Sequence, residues 1–187
     1  MVTSPNSTIG PFFPYEFMAD DLTQHEGKRA HGQHILLTGR VLQEGCVPTR
    51  NTILEIWQAD ANGVFRHPLD PRCPQADPGF AGWGRARTDP EGWYRFRTVL
   101  PGAYEKRCPH INVMVLAIGL TWRLVSTIFF SAAPETADDP VLNCVTDPAA
   151  RLRLFAKRDS SLDVDGVRAY RFDVILRGEN ETPFFLD

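Results

Sequence analysis

Six consecutive residues, Arg107-Cys108-Pro109-His110-Ile111-Asn112, put a guanidinium, an imidazole and a carboxamide at the start of an apolar run. Residues two apart on an extended chain share a face, so His110 and Asn112 point the same way. Two histidines so placed would converge on a transition metal, but a carboxamide is a poor ligand for one. On residue chemistry alone, His110 reads as a hydrogen-bonded structural histidine rather than a ligand. Tyr104 stands six residues before His110, just after the Pro101-Gly102 turn. Its phenolate would be a hard, anionic donor suited to ferric iron, yet a lone tyrosine by a turn more often packs and bonds its hydroxyl to backbone. Arg107 could hold an anion; by residue type it is expected at the solvent.

Other chemistries lack their residues. There is no Gly-x-Ser-x-Gly elbow for a serine hydrolase and no Walker sequence. The glycines of 79–84, GFAGWG, do not sit between a strand and a helix as a dinucleotide fold requires. His25, His31 and His34 fit no helical i, i+4 pair and read as incidental residues of a polar loop. The acidic pairs Asp20-Asp21 and Asp138-Asp139 read as solvent-facing loop residues. Cys46, Cys73, Cys108 and Cys144 form no Cys-x-x-Cys pair, which argues against a zinc knuckle or redox motif.

These groups must be positioned by strands. Residues 34–42, HILLTGRVL, and 52–58, TILEIWQ, are rich in aliphatic residues; the second alternates Ile53, Glu55 and Trp57 against Leu54 and Ile56. Asp60-Ala61-Asn62-Gly63 is a turn signal. Asp89-Pro90-Glu91-Gly92 reads as a hairpin connection into 93–98, WYRFRT, where Tyr94 and Phe96 oppose Arg95 and Arg97. Residues 111–120 and 124–130 are nearly continuous apolar runs, expected to be strands buried on both faces. In 169–177, AYRFDVILR, the alternation predicts Tyr170, Phe172 and Val174 inward. One short helix is predicted over 149–156, capped by Asp147 with Pro148 at its first position. Such a pattern predicts an all-β sandwich with one short helix. The expected organisation is a single domain, 1–187, with an N-terminal arm and loop over 1–33 and a sandwich core and C-terminal arm over 34–187. The stiff, apolar segment 8–14, TIGPFFP, and the tail Pro183-Phe184-Phe185-Leu186 are irregular arms that must pack, on their own sandwich or in a subunit interface.

The 187 residues, 43% hydrophobic and 23% charged, suit one globular domain. A net charge of -3 gives no reason to expect nucleic acid or an anionic membrane as partner. The longest apolar run, Ile111 to Leu120, is too short to span a bilayer. The N-terminus lacks the basic and apolar stretches of a secretion signal, so a reducing, cytoplasmic location is expected.

The blocks LEIWQADANGVFRH (54–67), GRARTDPEGWYRFRTVLPGAY (84–104), PHINVMV (109–115) and AYRFDVILRGENETPFF (169–185) together resemble the intradiol ring-cleavage dioxygenases. The resemblance runs from TIGPFF to ETPFF, nearly the whole chain. PHIN and the ETPFF tail are similar to the α-type subunits of the protocatechuate-cleaving members, and the long helical N-terminal region of single-chain catechol enzymes is not expected here. Ile118, in the expected strand after PHIN, and Thr127 stand where many such subunits carry basic residues; retention of Tyr104 and Arg107 is less usual for that type.

The resemblance implies an intradiol-dioxygenase-type β-sandwich. It also implies roles for particular residues. Catalytic members hold ferric iron with two tyrosines and two histidines. Phe65 occupies the first tyrosine position, Tyr104 the second, His110 the first histidine position and Asn112 the second, while Arg107 matches the family's active-site arginine. The set is expected to be the relic of a site, with no catalytic residue and no metal in this chain. Fe(3+) is expected in a homologous β subunit that forms an αβ protomer and a higher oligomer. Thr8, Ile9, Gly10 and Pro11 are expected to line the substrate wall, with protocatechuate and O2 converted to 3-carboxy-cis,cis-muconate. A stand-alone dioxygenase acting on a related catechol and a transthyretin-like binding module are the alternatives.

Overall fold

A computed structural model describes residues 17–130 and 138–185. The strands are β1 (Gln24–His25), β2 (Lys28–Arg29), β3 (His34–Leu42), β4 (Ile53–Trp57), β5 (Trp83–Arg87), β6 (Trp93–Val99), β7 (His110–Leu116), β8 (Leu124–Phe129), β9 (Lys157–Arg158), β10 (Arg168–Arg171) and β11 (Val174–Ile175). β1 and β2 form a small ribbon. One main sheet runs β5-β4-β7-β8, all antiparallel. In the other, β3 is flanked by β6 on one side and by β10 and β11 on the other. The all-β sandwich expected from the alternation is present.

The core lies between the two sheets. Leu37 and Val41 of β3, Leu54 and Ile56 of β4, Phe96 of β6, and Ile111, Val113 and Val115 of β7 are all 0–1% exposed. Each such side chain contributes on the order of 1.5–3 kcal/mol by leaving water. The other face of β7 is only half covered: Asn112, Met114 and Leu116 are partly exposed, so the apolar run is not buried on both faces. β7 also ends at Leu116, four residues early. Ile118 therefore sits in the turn to β8, 54% exposed, rather than on a strand.

Several pairings were not in the local pattern. Asp89-Pro90-Glu91-Gly92 does turn, with the Gly92 N–H donating to the Asp89 carbonyl at 3.0 Å. It is not a hairpin connection, because β5 pairs with β4 and β6 with β3; the turn carries the chain from one sheet to the other. Segment 169–177 is interrupted, and both pieces run parallel to β3. At the break, the Phe172 carbonyl accepts from the Tyr94 hydroxyl at 2.6 Å and lies over Gly39. A Cβ at Gly39 would sit 1.9 Å from that oxygen, so this crossing requires glycine.

The described residues hold two short α-helices rather than one. Asp147 caps α2 (Pro148–Leu152) through the N–H groups of Ala149 and Ala150, but the helix stops at Leu152 rather than reaching 156. The unexpected α1 (Pro140–Cys144) is capped by Asp139. No helix among the described residues is long and apolar enough to cross a membrane. The described part of the tail packs on its own sandwich: the Phe185 N–H donates to the Val125 carbonyl at 2.8 Å, and Phe184 packs against the main core.

Candidate functional site

Phe65, Tyr104, His110 and Asn112 converge at one end of the β5-β4-β7-β8 sheet. Asp60 draws two loops together there. Its carbonyl accepts from the N–H groups of Gly63 (3.0 Å) and Gly102 (2.9 Å), and its buried carboxylate accepts from Asn62, Val64 and Asp77. Gly63, at φ +75°, lets the first loop lie on the second: a Cβ there would be 2.1 Å from the Ala103 carbonyl. Phe65 consequently meets Tyr104 edge to face, with ring centroids 5.0 Å apart. Tyr104 in turn meets His110 at 5.5 Å, and Trp57 meets Phe65 at 5.4 Å. Trp57 pairs across the sheet with Asn112, which closes the circle. Phe65, Tyr104, His110 and Asn112, spread over nearly fifty residues of chain, therefore share one neighbourhood.

His110 is 2% exposed. Its Nδ1 lies 2.6 Å from the Cys108 carbonyl oxygen, which can only accept, so Nδ1 carries the proton and Nε2 is the acceptor. Nε2 lies 3.4 Å from the Tyr104 hydroxyl, long for a hydrogen bond. Burial pushes the His110 pKa down to about 4, so the ring is neutral at pH 7. Burial also pushes the Tyr104 phenol up, with the Arg107 charge opposing, and the hydroxyl stays protonated. The Asn112 carbonyl oxygen accepts from the Thr127 hydroxyl at 3.3 Å, and Thr127 is 4% exposed.

Arg107 is not a solvent-facing arginine. Its Nε donates to both carboxylate oxygens of Asp139 at 3.0 and 3.2 Å. Asp139, expected from its sequence context to be a solvent-facing loop residue, has a side chain 0% exposed. It also accepts from the N–H groups of Cys108, Val141 and Leu142. Burial alone would raise its pKa, but the Cys108 N–H and the Arg107 guanidinium outweigh that and hold it below the usual range. The ion pair thus joins α1 to the loop that carries Tyr104 and leads into His110 at the start of β7. Nη2 of Arg107 is buried and finds no hydrogen-bond partner among the described residues.

A family profile described as "Dioxygenase" matches residues 9–178. The protocatechuate 3,4-dioxygenase β chain of Burkholderia cepacia is 40% identical over 173 residues, covering 87% of this chain and 73% of that one. The chain belongs to the intradiol ring-cleavage dioxygenases. A protocatechuate 3,4-dioxygenase α chain, from Pseudomonas putida, is 38% identical over 163 residues, 83% of this chain and 77% of that relative. Identity therefore places the chain in the family without choosing between the two subunit types. Among solved structures, the dioxygenase domain of a carbohydrate-binding fusion protein from Streptomyces sp. SirexAA-E superposes with a TM-score of 0.65. It is 26% identical, covering 92% of this chain and 96% of that one.

The residues gathered here, among those described, do not fit a ferric ion. Phe65 offers no donor atom, and the carboxamide oxygen of Asn112 is bonded to Thr127. The donors left are a neutral imidazole and a phenol held in its protonated form, which match neither the coordination number nor the charge of Fe(III). Among the described residues, no group of three or more His, Cys, Asp or Glu side chains is arranged to hold a metal ion.

Sequence reasoning brought Phe65, Tyr104, Arg107, His110 and Asn112 forward, and the fold gathers them. It missed Asp139 and Trp57. The Asp-Pro dipeptide at 139–140 was an available helix-start signal for the first; nothing local marks the second. His25, His31 and His34 stay outside this cluster. His31 pairs instead with Asp77, Nδ1 to carboxylate 3.3 Å, and Nε2 of His34 bonds the Ala30 carbonyl. Thr8, Ile9, Gly10 and Pro11 lie outside the described residues.

Proposed function

We propose that this chain is the iron-free, α-type subunit of a protocatechuate 3,4-dioxygenase. In this reading a homologous β subunit holds the ferric iron, and the αβ protomer assembles into a larger closed oligomer. Thr8, Ile9, Gly10 and Pro11 form part of the wall around the substrate of that partner. The product is 3-carboxy-cis,cis-muconate. The observation that carries the reading is Phe65, whose ring packs on Tyr104 at 5.0 Å in the position where the family needs a second phenolate. Asn112 in place of an imidazole removes another donor. None of Cys46, Cys73, Cys108 and Cys144 forms a disulfide, which suits a reducing, cytoplasmic setting.

Co-expression with a β-type chain tests this. The lone chain is expected to purify colourless and iron-poor. The co-purified pair is expected to show the visible tyrosinate-to-iron absorption and to take up O2 with protocatechuate. Stoichiometric iron in the lone chain would overturn the proposal. The 40% identity to a β chain, together with the retained Tyr104, Arg107 and His110, favours a second reading as a stand-alone dioxygenase. That reading requires turnover by the lone chain, abolished in His110→Ala.

A further inference from the structure

We propose that the outer face of the β6-β3-β10-β9 layer docks an acidic segment of a partner protein through its carboxylates. The core claims Leu37 and Val41 of β3 and Tyr94 and Phe96 of β6, so the residues that alternate with them face away from it. Register sets those residues side by side. Arg40 pairs with Trp93, Thr38 with Arg95 and Leu36 with Arg97. Across the other edge of β3, Arg171 pairs with Thr38 and Ala169 with Leu36, and Lys157 pairs with Arg171. Paired residues share a face. Arg40, Arg95, Arg97, Arg171 and Lys157 therefore stand together around a low floor of Leu36, Thr38 and Ala169.

These cations are ordered but poorly compensated. The Arg40 and Arg171 guanidiniums stack on the Trp93 ring, 5.7 and 5.2 Å from its centroid, which limits the ordering cost of a further contact. Arg171 is bonded to Asp173 at 2.8 Å, and the Arg40 Nε donates to the Glu91 carbonyl. Asp20 comes only to 4.0 Å from Arg95, whose side chain is 76% exposed. Asp159, at the margin, is engaged by the hydroxyl and N–H of Ser161. Arg97 and Lys157 are exposed and make no ion pair among the described residues. Like charges crowded on one sheet face are destabilising, and a partner's carboxylates would relieve that. The chain as a whole carries a net charge of -3, so the basic face is a local feature.

The occupant is polypeptide. The outer edge of β6 is already taken: the Leu22 N–H donates to the Arg97 carbonyl and the Arg97 N–H to the Asp20 carbonyl, both at 2.8 Å. A partner adds no strand there and is read through side chains. The cations span four residues along β6 and four strands across, ~14 Å each way, the footprint of a few side chains. The net negative charge repels a long polyanion such as nucleic acid. Guanidinium forks take carboxylates bidentately, and Trp93 and Leu36 offer apolar contact to the stems that carry them. None of these residues belongs to the β5-β4-β7-β8 sheet, so this docking role stands independently of the two-subunit reading.

The test uses the full chain, a hexaglutamate peptide as probe and a carbodiimide, which joins a bound carboxylate to a nearby amine as an amide. The chain has three lysines, Lys28, Lys106 and Lys157, and only Lys157 lies on this face. The cross-link is expected at Lys157. In fluorescence anisotropy, Arg95→Glu with Arg97→Glu should raise the peptide's Kd about tenfold or more, and high salt should abolish binding. Lys28→Glu with Arg29→Glu, on the exposed β2, should leave the Kd unchanged. Circular dichroism checks that both variants fold, and the Lys157 cross-link is read on the unaltered chain. A cross-link at Lys28 or Lys106 instead, equal affinity in the two charge-reversed variants, no binding at low salt, or tighter binding of a hexanucleotide than of the peptide would overturn the assignment.

Discussion

The Tyr104 hydroxyl lies 3.4 Å from Nε2 of His110. The two side chains turn their donor atoms toward each other. The imidazole is fixed by the Cys108 carbonyl on its other side, so the pair is a neutral, buried contact rather than a charged one. Its energetics are accessible without any partner or substrate.

Acid should destabilise the fold through His110. Its folded pKa is about 4 against 6.5 for the free group, so between those values the unfolded chain binds the proton more readily. The stability contributed by the neutral ring is complete above pH 6.5 and is lost as pH falls through 4. The shift corresponds to about 3 kcal/mol at 1.36 kcal/mol per unit. Urea midpoints from pH 7 to 4 should fall in the wild type and flatten in His110→Gln; equal slopes in both would count against it.

Asp139→Ala should cost about 3–5 kcal/mol, because it leaves the buried Arg107 guanidinium without its counter-charge. It also removes the cap of α1. Asp139→Asn should cost less, since its amide oxygen still accepts. Chemical denaturation of the three proteins checks the order, and an Ala variant as stable as wild type would refute the role.

Phe65→Tyr combined with Asn112→His raises the donor count from two to four within a neighbourhood that is already assembled. The double variant should take up Fe(III) and develop visible tyrosinate absorption, while each single variant should bind far less. Bound iron and absorbance on the folded proteins decide the matter. A well-folded double variant with no iron would mean that the backbone geometry, as well as the side chains, has departed.

Gly63→Ala should loosen the contact between Phe65 and Tyr104. The added methyl meets the Ala103 carbonyl, and the positive φ is strained for any other residue. A loss of about 1–3 kcal/mol is expected, read as a lower thermal midpoint with changed near-ultraviolet dichroism from the Tyr104 environment. The same substitution at Gly166 meets nothing within 4 Å and is the control for backbone strain alone, since its φ is also positive.

Residue order alone carried β3 to its ends (His34–Leu42), the alternation of β6 and the Asp147 cap, because each depends on neighbours a few positions apart. It also carried the family, and it supplied the identities of Phe65 and Asn112 on which the proposed two-subunit reading turns. It could not carry the change of sheet at Asp89–Gly92 or the parallel pairing of β10 and β11 with β3: periodicity says that a segment is a strand, not which strand lies beside it. Nor could it show that Asp139 is buried against Arg107, 32 positions away. A carboxylate in a polar stretch looks solvated until folding brings up a guanidinium and three backbone N–H groups. That long-range complementarity, rather than local composition, decides which charges the interior accepts.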